Sequence, residues 1–295
     1  MVDLIHAKSP FFDSPLPFPL PLRPSLPEPN GSRPTKRFAN PMDYQDILFD
    51  LDDGIATITM NRPEKLNAYT TDMGEEVTHA FRETQRDPEV RVVILTGAGK
   101  AFCAGADLEH LKAHEQGKNA SKGPRLGEED FLRKLPLEIC DFPKPVIAAI
   151  NGHAVGVGMT MVMPCDIRIA AEDAKLGFIF GRLGILPGLG SSHLLPQLVG
   201  MARAQELVLT AKKILGREAA EIGLVNKAVA KDEVLNVAKA MAREMAQVDP
   251  IVLAYAKRSL YYGGSHSMAE AMKNEQRQSA LMKAEREAAK AAKAE

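Results

Sequence analysis

Two short and almost wholly apolar segments, VVILTG (92–97) and KPVIAAING (144–152), constrain the fold more than any other feature of this sequence. Segments of this kind form strands that are covered on both faces, as in parallel sheets flanked by helices. Apolar residues at helical spacing occur in TTDMGEEVTHAFRETQRD (70–87), and a further helix is predicted around 128–141. This order of strands and helices predicts an α/β fold built from ββα units rather than a sandwich or a helical bundle.

The remaining pattern divides the chain into regions. ILFDLDDGIATITMN (47–61) is predicted to form two strands joined by a tight hairpin. CDIRIAAEDAKLGF (165–178) adds one more strand, and after about residue 198 the pattern is almost wholly helical. We therefore expect a core over residues 43–235 and a C-terminal helical region over residues 236–295 that contributes to oligomerisation.

Residues 1–42 differ from the rest of the chain, because they hold ten of its twenty prolines. Proline lacks a backbone N–H and disfavours helix in the residue before it, so this segment is expected to be a poorly packed, disordered extension. It contains neither the apolar stretch of a signal peptide nor the Arg-rich amphipathic helix of a mitochondrial presequence. Two further interpretations stay open: a proline-rich ligand for a partner, and sequence upstream of a natural start at Met42.

A chain that begins at Met42 is expected to keep the melting temperature and the oligomeric state of the full chain, because a disordered extension contributes no packing. Thermal denaturation and light scattering of the two chains, side by side, measure this. A large fall in the melting temperature would show that the extension packs against the core.

Composition and charge exclude several classes of function. The formal net charge is −1, so no global charge attracts nucleic acid or an anionic membrane surface. The three cysteines lack CxxC spacing, which argues against a zinc site and for a reducing compartment. No apolar run approaches the roughly 20 residues that a membrane-spanning helix needs. We therefore expect a cytoplasmic protein that binds neither nucleic acid, nor a membrane, nor a metal.

Two glycine-bearing turns, GKAFCAGADL (99–108) and NGHAVGVGMT (151–160), each follow a buried strand and lead into a predicted helix. Glycine lets the backbone approach a ligand closely, and the first N–H groups of a helix lack an intrahelical partner. Two such groups converging on one point would bind a carbonyl oxygen, and would bind it better as negative charge develops. Gly156 and Gly158 also begin a GxGxxG pattern, but Met161 replaces the third glycine, which argues against a nicotinamide cofactor.

These segments resemble the crotonase (enoyl-CoA hydratase/isomerase) family. The matching motifs are NRPEKLNAYT (61–70), VVILTGAGKAFCAGADL (92–108), KPVIAAINGHAVGVG (144–158), CDIRIA (165–170), LGILPGLGSSHLLPQLVG (183–200) and AAEIGLVNKAV (219–229). They cover about residues 43–235 in unbroken order. The resemblance implies a crotonase-like spiral of ββα units with a C-terminal helical region, and a homotrimer or hexamer. It also implies an acyl-CoA or enoyl-CoA thioester as substrate, with no metal or redox cofactor beside the coenzyme A of that substrate.

Assembly is also expected from the C-terminal region itself. IVLAYAKRSL (251–260) carries an apolar helical face that an isolated subunit would expose to water, which is unusual for a soluble monomer. We therefore expect the C-terminal helices to lie at the contacts between subunits.

Carried over position by position, the resemblance assigns an oxyanion hole to the backbone N–H groups of Ala106 and Val157. It also places three residues at the nucleotide end of coenzyme A and three along the pantetheine arm: Lys65, Leu66 and Ala68, and then Ala104, Asp107 and Leu108. From the residues alone, Asp107 has a second interpretation as the N-cap of the helix that follows. MTMVM (159–163) is predicted to form the buried helix behind the second turn.

The acid and the base are the open question. Hydratases of the family use two glutamates, and their positions hold Thr160 and Phe180 in this chain. The isomerase branch places its glutamate after a proline, where this chain has Gly188. Thr160 stays a candidate only for orienting a water, since a threonine hydroxyl is not a base near neutral pH. Side chains of suitable chemistry elsewhere are Tyr69, His110, His114, Arg182 and His193.

Two classes of function follow from these observations. The first is an enzyme that acts on an acyl- or enoyl-CoA through a stabilised enolate, as in hydration, isomerisation or decarboxylation. The second is a catalytically silent acyl-CoA-binding or scaffold protein. The two oxyanion turns favour the enzyme, because a pure binder need not aim two helix N-termini at one carbonyl. The empty carboxylate positions favour the binder, because general acids and bases supply much of the rate.

Overall fold

A six-stranded sheet lies at the centre of residues 44–291, the part of the chain that this computed structural model describes. The proline-rich segment over residues 1–42 lies outside the described residues, so its interpretation stays a prediction. The strands are β1 (Ile47–Asp52), β2 (Ile55–Met60), β3 (Val92–Gly97), β4 (Ala101–Cys103), β5 (Val146–Ile150), β6 (His153–Val155), β7 (Ile167–Ala171), β8 (Lys175–Gly177), β9 (Lys213–Leu215) and β10 (Lys227–Val229). The helices are α1 (Thr71–Arg86), α2 (Leu108–Glu115), α3 (Asp130–Arg133), α4 (Leu135–Cys140), α5 (Val157–Thr160), α6 (Ser191–Val199), α7 (Met201–Leu209), α8 (Gly216–Glu221), α9 (Val234–Ala246), α10 (Pro250–Gly263) and α11 (Met268–Ala291).

The central sheet has the strand order β1-β2-β3-β5-β7-β10 and is parallel apart from the β1–β2 hairpin. Asp53 and Gly54 form the hairpin turn with φ of 49° and 75°, the positive values that a two-residue type I′ turn requires. Every residue of β3 and β5 is buried, as expected for strands covered on both faces. The predicted hairpin and the two predicted buried strands are confirmed.

A second, smaller sheet has the order β4-β6-β8-β9, with β4, β6 and β8 parallel and β9 antiparallel to β8. The sequence pattern missed most of it, because it predicted one strand over 165–178 and an almost wholly helical chain after residue 198. Strands β4, β8, β9 and β10 are each three residues long. A segment that short is too brief to show an alternating pattern, so only packing reveals it.

Two predicted helices are shorter than expected. The helix predicted around 128–141 is two helices, α3 and α4, with Pro136 in the first turn of α4. Proline is tolerated there, because that N–H has no helical partner, whereas inside one continuous helix it would remove a hydrogen bond. The helix predicted over 159–163 ends at Thr160, and Met161 and Met163 are buried in the turns that follow.

The first C-terminal helix, α9, lies on the central sheet. Ala238 and Ala242 on α9 are fully buried and belong to the same core as β3 and β5. α11 is 24 residues long and carries charged residues along its length. Within residues 44–291, no helix has the length and apolar character needed to cross a membrane.

The last two helices pack against each other. Ile251, Ala254 and Tyr255 on α10 are buried and contact Leu281 and Met282 on α11. α11 of the same chain covers Ile251, Ala254 and Tyr255, which corrects the expectation for these residues, whereas Leu260 of the same segment is exposed.

A homotrimer or hexamer stays our prediction on other grounds. Leu209, Leu260 and Met268 expose 79%, 77% and 80% of their surface, and contacts between subunits would remove such apolar area from water. Light scattering at micromolar concentration is expected to give three or six times the 32.1 kDa mass of the chain. A monomeric mass would contradict this prediction.

Candidate functional site

The two glycine-bearing turns lie side by side. Strands β4 and β6, which lead into them, pair in parallel with Cys103 opposite Ala154. Gly105 and Gly156, at the two turns, have φ of 107° and 58°, which glycine adopts without strain. A Cβ atom added to Gly156 would lie 3.8 Å from the Cα atom of Gly105. The residues that follow these glycines, Ala106 and Val157, are thereby brought together.

The backbone amides of Ala106 and Val157 are available to a ligand. The segment around Ala106 runs parallel to the segment around Tyr69, whose N–H donates to Gly105 O at 2.8 Å and whose carbonyl accepts from Asp107 N at 2.8 Å. In such a parallel bridge the N–H of the middle residue points to the opposite side. Val157 is the first residue of α5, where an N–H has no intrahelical partner. Among the described residues, none accepts a hydrogen bond from either amide.

Gly158 explains why the second turn can approach the first so closely. A Cβ atom at this position would lie 2.5 Å from the carbonyl oxygen and 2.7 Å from the Cβ atom of Cys103. The carbonyl oxygen belongs to the backbone of β4 and the Cβ atom is bonded directly to it, so neither atom can move without disturbing the strand. The lack of a side chain at Gly158 therefore sets the distance between α5 and β4.

The variant Gly158→Ala is expected to lower the free energy of unfolding by about 1–3 kcal/mol, the usual cost of overpacking a close contact. Urea denaturation measures it. Gly181→Ala is the matched control, because a Cβ atom at Gly181 meets no atom within 4 Å. Equal stability of the two variants would show that the α5–β4 contact is looser than described.

The residues expected to contact coenzyme A form one edge beside the first turn. Ala104 N donates to Leu66 O at 3.1 Å, which holds the segment containing Lys65 and Ala68 alongside the turn. Leu66 and Leu108 expose 44% and 64% of their surface at this edge. Lys65 Nζ lies 3.8 Å from Glu109 Oε1 on the following helix. The structure thus brings the six predicted residues together; that they bind coenzyme A stays a prediction.

Asp107 has a structural role at this edge. Its carboxylate accepts from Glu109 N at 2.9 Å and so caps α2, and it pairs with Arg62 at 3.3 Å. Burial alone would raise the pKa of Asp107, but the hydrogen bonds from Glu109 N and Arg62 outweigh it and hold that pKa below its ordinary value. Arg62 also donates to Ala68 O at 2.6 Å, so it joins the two segments of the edge. The sequence analysis did not identify Arg62.

The three positions at which the resemblance places the family's glutamates are Thr160, Phe180 and Gly188. Thr160 is 1% exposed, and its hydroxyl donates to Val157 O at 3.3 Å within its own helix. Phe180 is 8% exposed in the 3-10 helix Ile179–Leu183, and Gly188 lies in an exposed loop. Met161, next to Thr160, and Leu189, next to Gly188, line a small apolar cavity. None of these three positions has a side chain that ionises near neutral pH.

A buried tyrosine–carboxylate pair lies behind the first turn. Tyr69 Oη donates to Glu129 Oε1 at 2.7 Å, and Gly127 N donates to Glu129 Oε2 at 2.6 Å. Glu129 is fully buried, and burial, followed by the Glu129 charge, raises the pKa of Tyr69 well above its ordinary value. Glu129 was not predicted from the sequence, because it lies in the polar stretch GEED (127–130), which shows no periodic pattern of apolar residues.

Of the other side chains with suitable chemistry, only His110 combines burial with unpaired polar atoms. In the described part of the chain, neither ring nitrogen of His110 has a hydrogen-bond partner, and both are buried. His114 and Arg182 are exposed, and His193 Nε2 lies 2.9 Å from Gln197 Nε2 at the surface. Burial raises the pKa of the Cys103 thiol to about 12, which removes it as a nucleophile near neutral pH.

One groove lies away from the turns, between α6 and α10. It has a volume of about 680 Å³, contains the Lys257–Asp166 ion pair and is lined by no predicted site residue. Across residues 44–291, no three His, Cys, Asp or Glu side chains are grouped so that they could hold a metal ion.

Comparisons with known proteins identify the family and the fold of this chain. A family model described as enoyl-CoA hydratase/isomerase matches residues 50–294. The short-chain-enoyl-CoA hydratase of Clostridium acetobutylicum is 43% identical over 190 residues, which are 63% of this chain and 69% of that protein. The 1,2-epoxyphenylacetyl-CoA isomerase of Escherichia coli is 37% identical over 179 residues, 61% of this chain and 68% of that protein.

Solved structures extend the likeness to the fold. The structure of an enoyl-CoA hydratase from Bacillus anthracis has a TM-score of 0.73 at 35% identity and covers 80% of this chain and 90% of its own. That of a probable enoyl-CoA hydratase/isomerase from Mycobacterium abscessus has a TM-score of 0.70 at 33% identity, covering 79% and 88%. The predicted crotonase-like α/β fold with a C-terminal helical region is confirmed. This chain belongs to the enoyl-CoA hydratase/isomerase family.

Proposed function

We propose that this protein is an enzyme that binds the coenzyme A thioester of an acyl or enoyl group and stabilises its enolate between the backbone amides of Ala106 and Val157. The observation that carries the proposal is the close approach of the turns at Gly105 and Gly156, each followed by an amide that donates to no residue in the described part of the chain. Two preorganised donors aimed at one oxygen hold an enolate better than the neutral carbonyl, and each is worth about 10²–10³ in rate.

The edge beside the first turn supports the binding half of the proposal. Lys65, Leu66 and Ala68 would border the nucleotide end of coenzyme A, and Ala104, Asp107 and Leu108 would follow its pantetheine arm toward the amides. The exposed Leu66 and Leu108 side chains supply the apolar surface that such an arm covers. The names of the relatives, a short-chain-enoyl-CoA hydratase and a 1,2-epoxyphenylacetyl-CoA isomerase, support a CoA thioester as the substrate class.

The proposed reaction passes through a thioester enolate and does not use the glutamates that usually serve as acid and base in the family. Hydration, isomerisation and decarboxylation all pass through a thioester enolate, and the pair of amides serves each of them equally. No metal or redox cofactor is part of the proposal, because enolate formation moves an electron pair within the thioester alone. Thr160 and Phe180, which supply neither an acid nor a base, also favour a second candidate, a catalytically silent acyl-CoA-binding protein.

Acetoacetyl-CoA tests the proposal directly, since its enolate forms readily and absorbs in the near ultraviolet. Titration of the protein is expected to give tighter binding than free coenzyme A, together with a rise in enolate absorbance. Val157→Pro should lose that rise, because it lacks one of the two donors. Binding no tighter than that of free coenzyme A would contradict the proposal, and enolate binding without turnover of any acyl-CoA would favour the silent binder.

A further inference from the structure

We propose that His110 is the catalytic residue that carries the proton to and from the acyl chain of the bound thioester, in place of the family's glutamates. This inference rests on the proposed function, because it needs a thioester held at the two glycine-bearing turns.

The burial of His110 is costly unless something else binds its ring. Both ring nitrogens are buried, and within residues 44–291 neither has a hydrogen-bond partner. Buried polar atoms in native proteins are nearly always paired, so an unpaired imidazole calls for a ligand or a catalytic role. The side chain retains 16% exposure, so it is not sealed inside the core.

His110 lies beside the first glycine-bearing turn. It is on the first turn of α2, three residues after Asp107, and Asp107 directly follows Ala106. Side chains on a helix tilt toward its N-terminus, which here is the end that follows the glycine-bearing turn. The 3.8 Å distance between His110 Nδ1 and Asp107 Oδ1 agrees with that direction.

The surroundings of His110 suit a proton carrier. Asp107, held by Arg62 and by the backbone of α2, places a carboxylate 3.8 Å from Nδ1. A neutral imidazole has one ring nitrogen that accepts a proton and one that donates a hydrogen bond. A single side chain can therefore take the proton from Cα and return it.

The competing side chains are occupied or exposed. Tyr69 Oη donates to Glu129, and both oxygens of Glu129 already accept hydrogen bonds. His114 is exposed to solvent, and Arg182 is an exposed cation that does not act as a base.

The step is balanced within the thioester and the imidazole. The bond between Cα and its hydrogen breaks, and its electron pair forms the enolate, whose charge rests on the thioester oxygen between Ala106 N–H and Val157 N–H. The proton goes to a ring nitrogen of His110. Return of a proton to the carbon restores the thioester, so nothing is oxidised or reduced.

Exchange of the Cα hydrogens of butyryl-CoA in deuterated water isolates this step without any knowledge of the full reaction. Mass spectrometry of the thioester counts the deuterons gained. We expect His110→Gln to exchange about 10²–10⁴ times more slowly than the wild type, the usual contribution of a general base, with butyryl-CoA affinity unchanged. His114→Gln is the matched control on the same helix and should exchange like the wild type.

A second variant protects the test against a folding defect. His110→Ala leaves an empty space where the imidazole ring was. Free imidazole in the buffer is expected to enter that space and restore part of the deuterium exchange. If the variant is folded and imidazole restores no exchange, the result counts against the inference. His110→Gln exchanging as fast as the wild type would overturn it, as would a wild type that binds butyryl-CoA without exchange. Loss of exchange in Glu129→Gln, with His110→Gln unaffected, would assign the proton to Glu129 instead.

The two proposals fail in different ways. If Val157→Pro stops exchange and His110→Gln does not, the oxyanion hole stands and only the role of His110 is overturned. If the wild type binds no thioester at all, the proposed function fails first, and the inference about His110 fails with it.

Discussion

Replacing Val157 with proline should lower turnover of a CoA thioester by about 10²–10³-fold, the cost of one lost oxyanion donor. The variant removes the N–H of Val157 while keeping the backbone course, because proline fits the first position of a helix such as α5. Gly156, the preceding residue, has φ of 58° and ψ of −124°, outside the helical region that a following proline disfavours. Deuterium exchange of butyryl-CoA measures the loss.

Val157→Ala is the matched control, because it keeps the N–H and changes only the side chain. It should retain exchange close to that of the wild type, and both variants should unfold at similar temperatures. Ala106→Pro removes the other donor, although its turn has no helical first position to accommodate the ring, so its folding must be checked in parallel. Unchanged exchange in a folded Val157→Pro protein would remove Val157 from the site.

Crotonyl-CoA should be hydrated very slowly by this protein. Hydration needs a base for the water and an acid for the enolate carbon, and each such group contributes about 10²–10⁴-fold. By the resemblance, Thr160 and Phe180 occupy the positions of the two hydratase glutamates; both side chains are buried, and neither has an ionisable group. Loss of the enoyl absorbance on mixing crotonyl-CoA with the protein measures the rate.

The double variant Thr160→Glu/Phe180→Glu tests the reason for that slowness. It is expected to hydrate crotonyl-CoA faster than the isosteric Thr160→Gln/Phe180→Gln variant, which has the same bulk and no acid. Part of the gain will be offset, because both positions are buried and an unpaired charge there costs stability. Fast hydration by the unmodified protein would overturn the interpretation that Thr160 and Phe180 make hydration slow, and it would indicate another proton carrier.

The amino-acid pattern determined the parts of this protein that depend on neighbouring residues. The β1–β2 turn follows from Asp53 and Gly54, and the buried strands β3 and β5 from runs of β-branched and small apolar residues. The turns at Gly105 and Gly156 were visible as glycines after such strands. Each of these signals lies within about ten residues, so the sequence alone displays them.

Tertiary structure alone decided the features that join distant segments. Tyr69 and Glu129 are 60 residues apart and meet only because α3 packs beside α1, and no local pattern records that contact. Whether α11 or another subunit covers Ile251 and Tyr255 was likewise a matter of packing. The same holds for His110, which the sequence presents as one of several histidines. The burial of its ring nitrogens depends on how α2 packs against the rest of the chain, and packing of that kind exists only in the folded molecule.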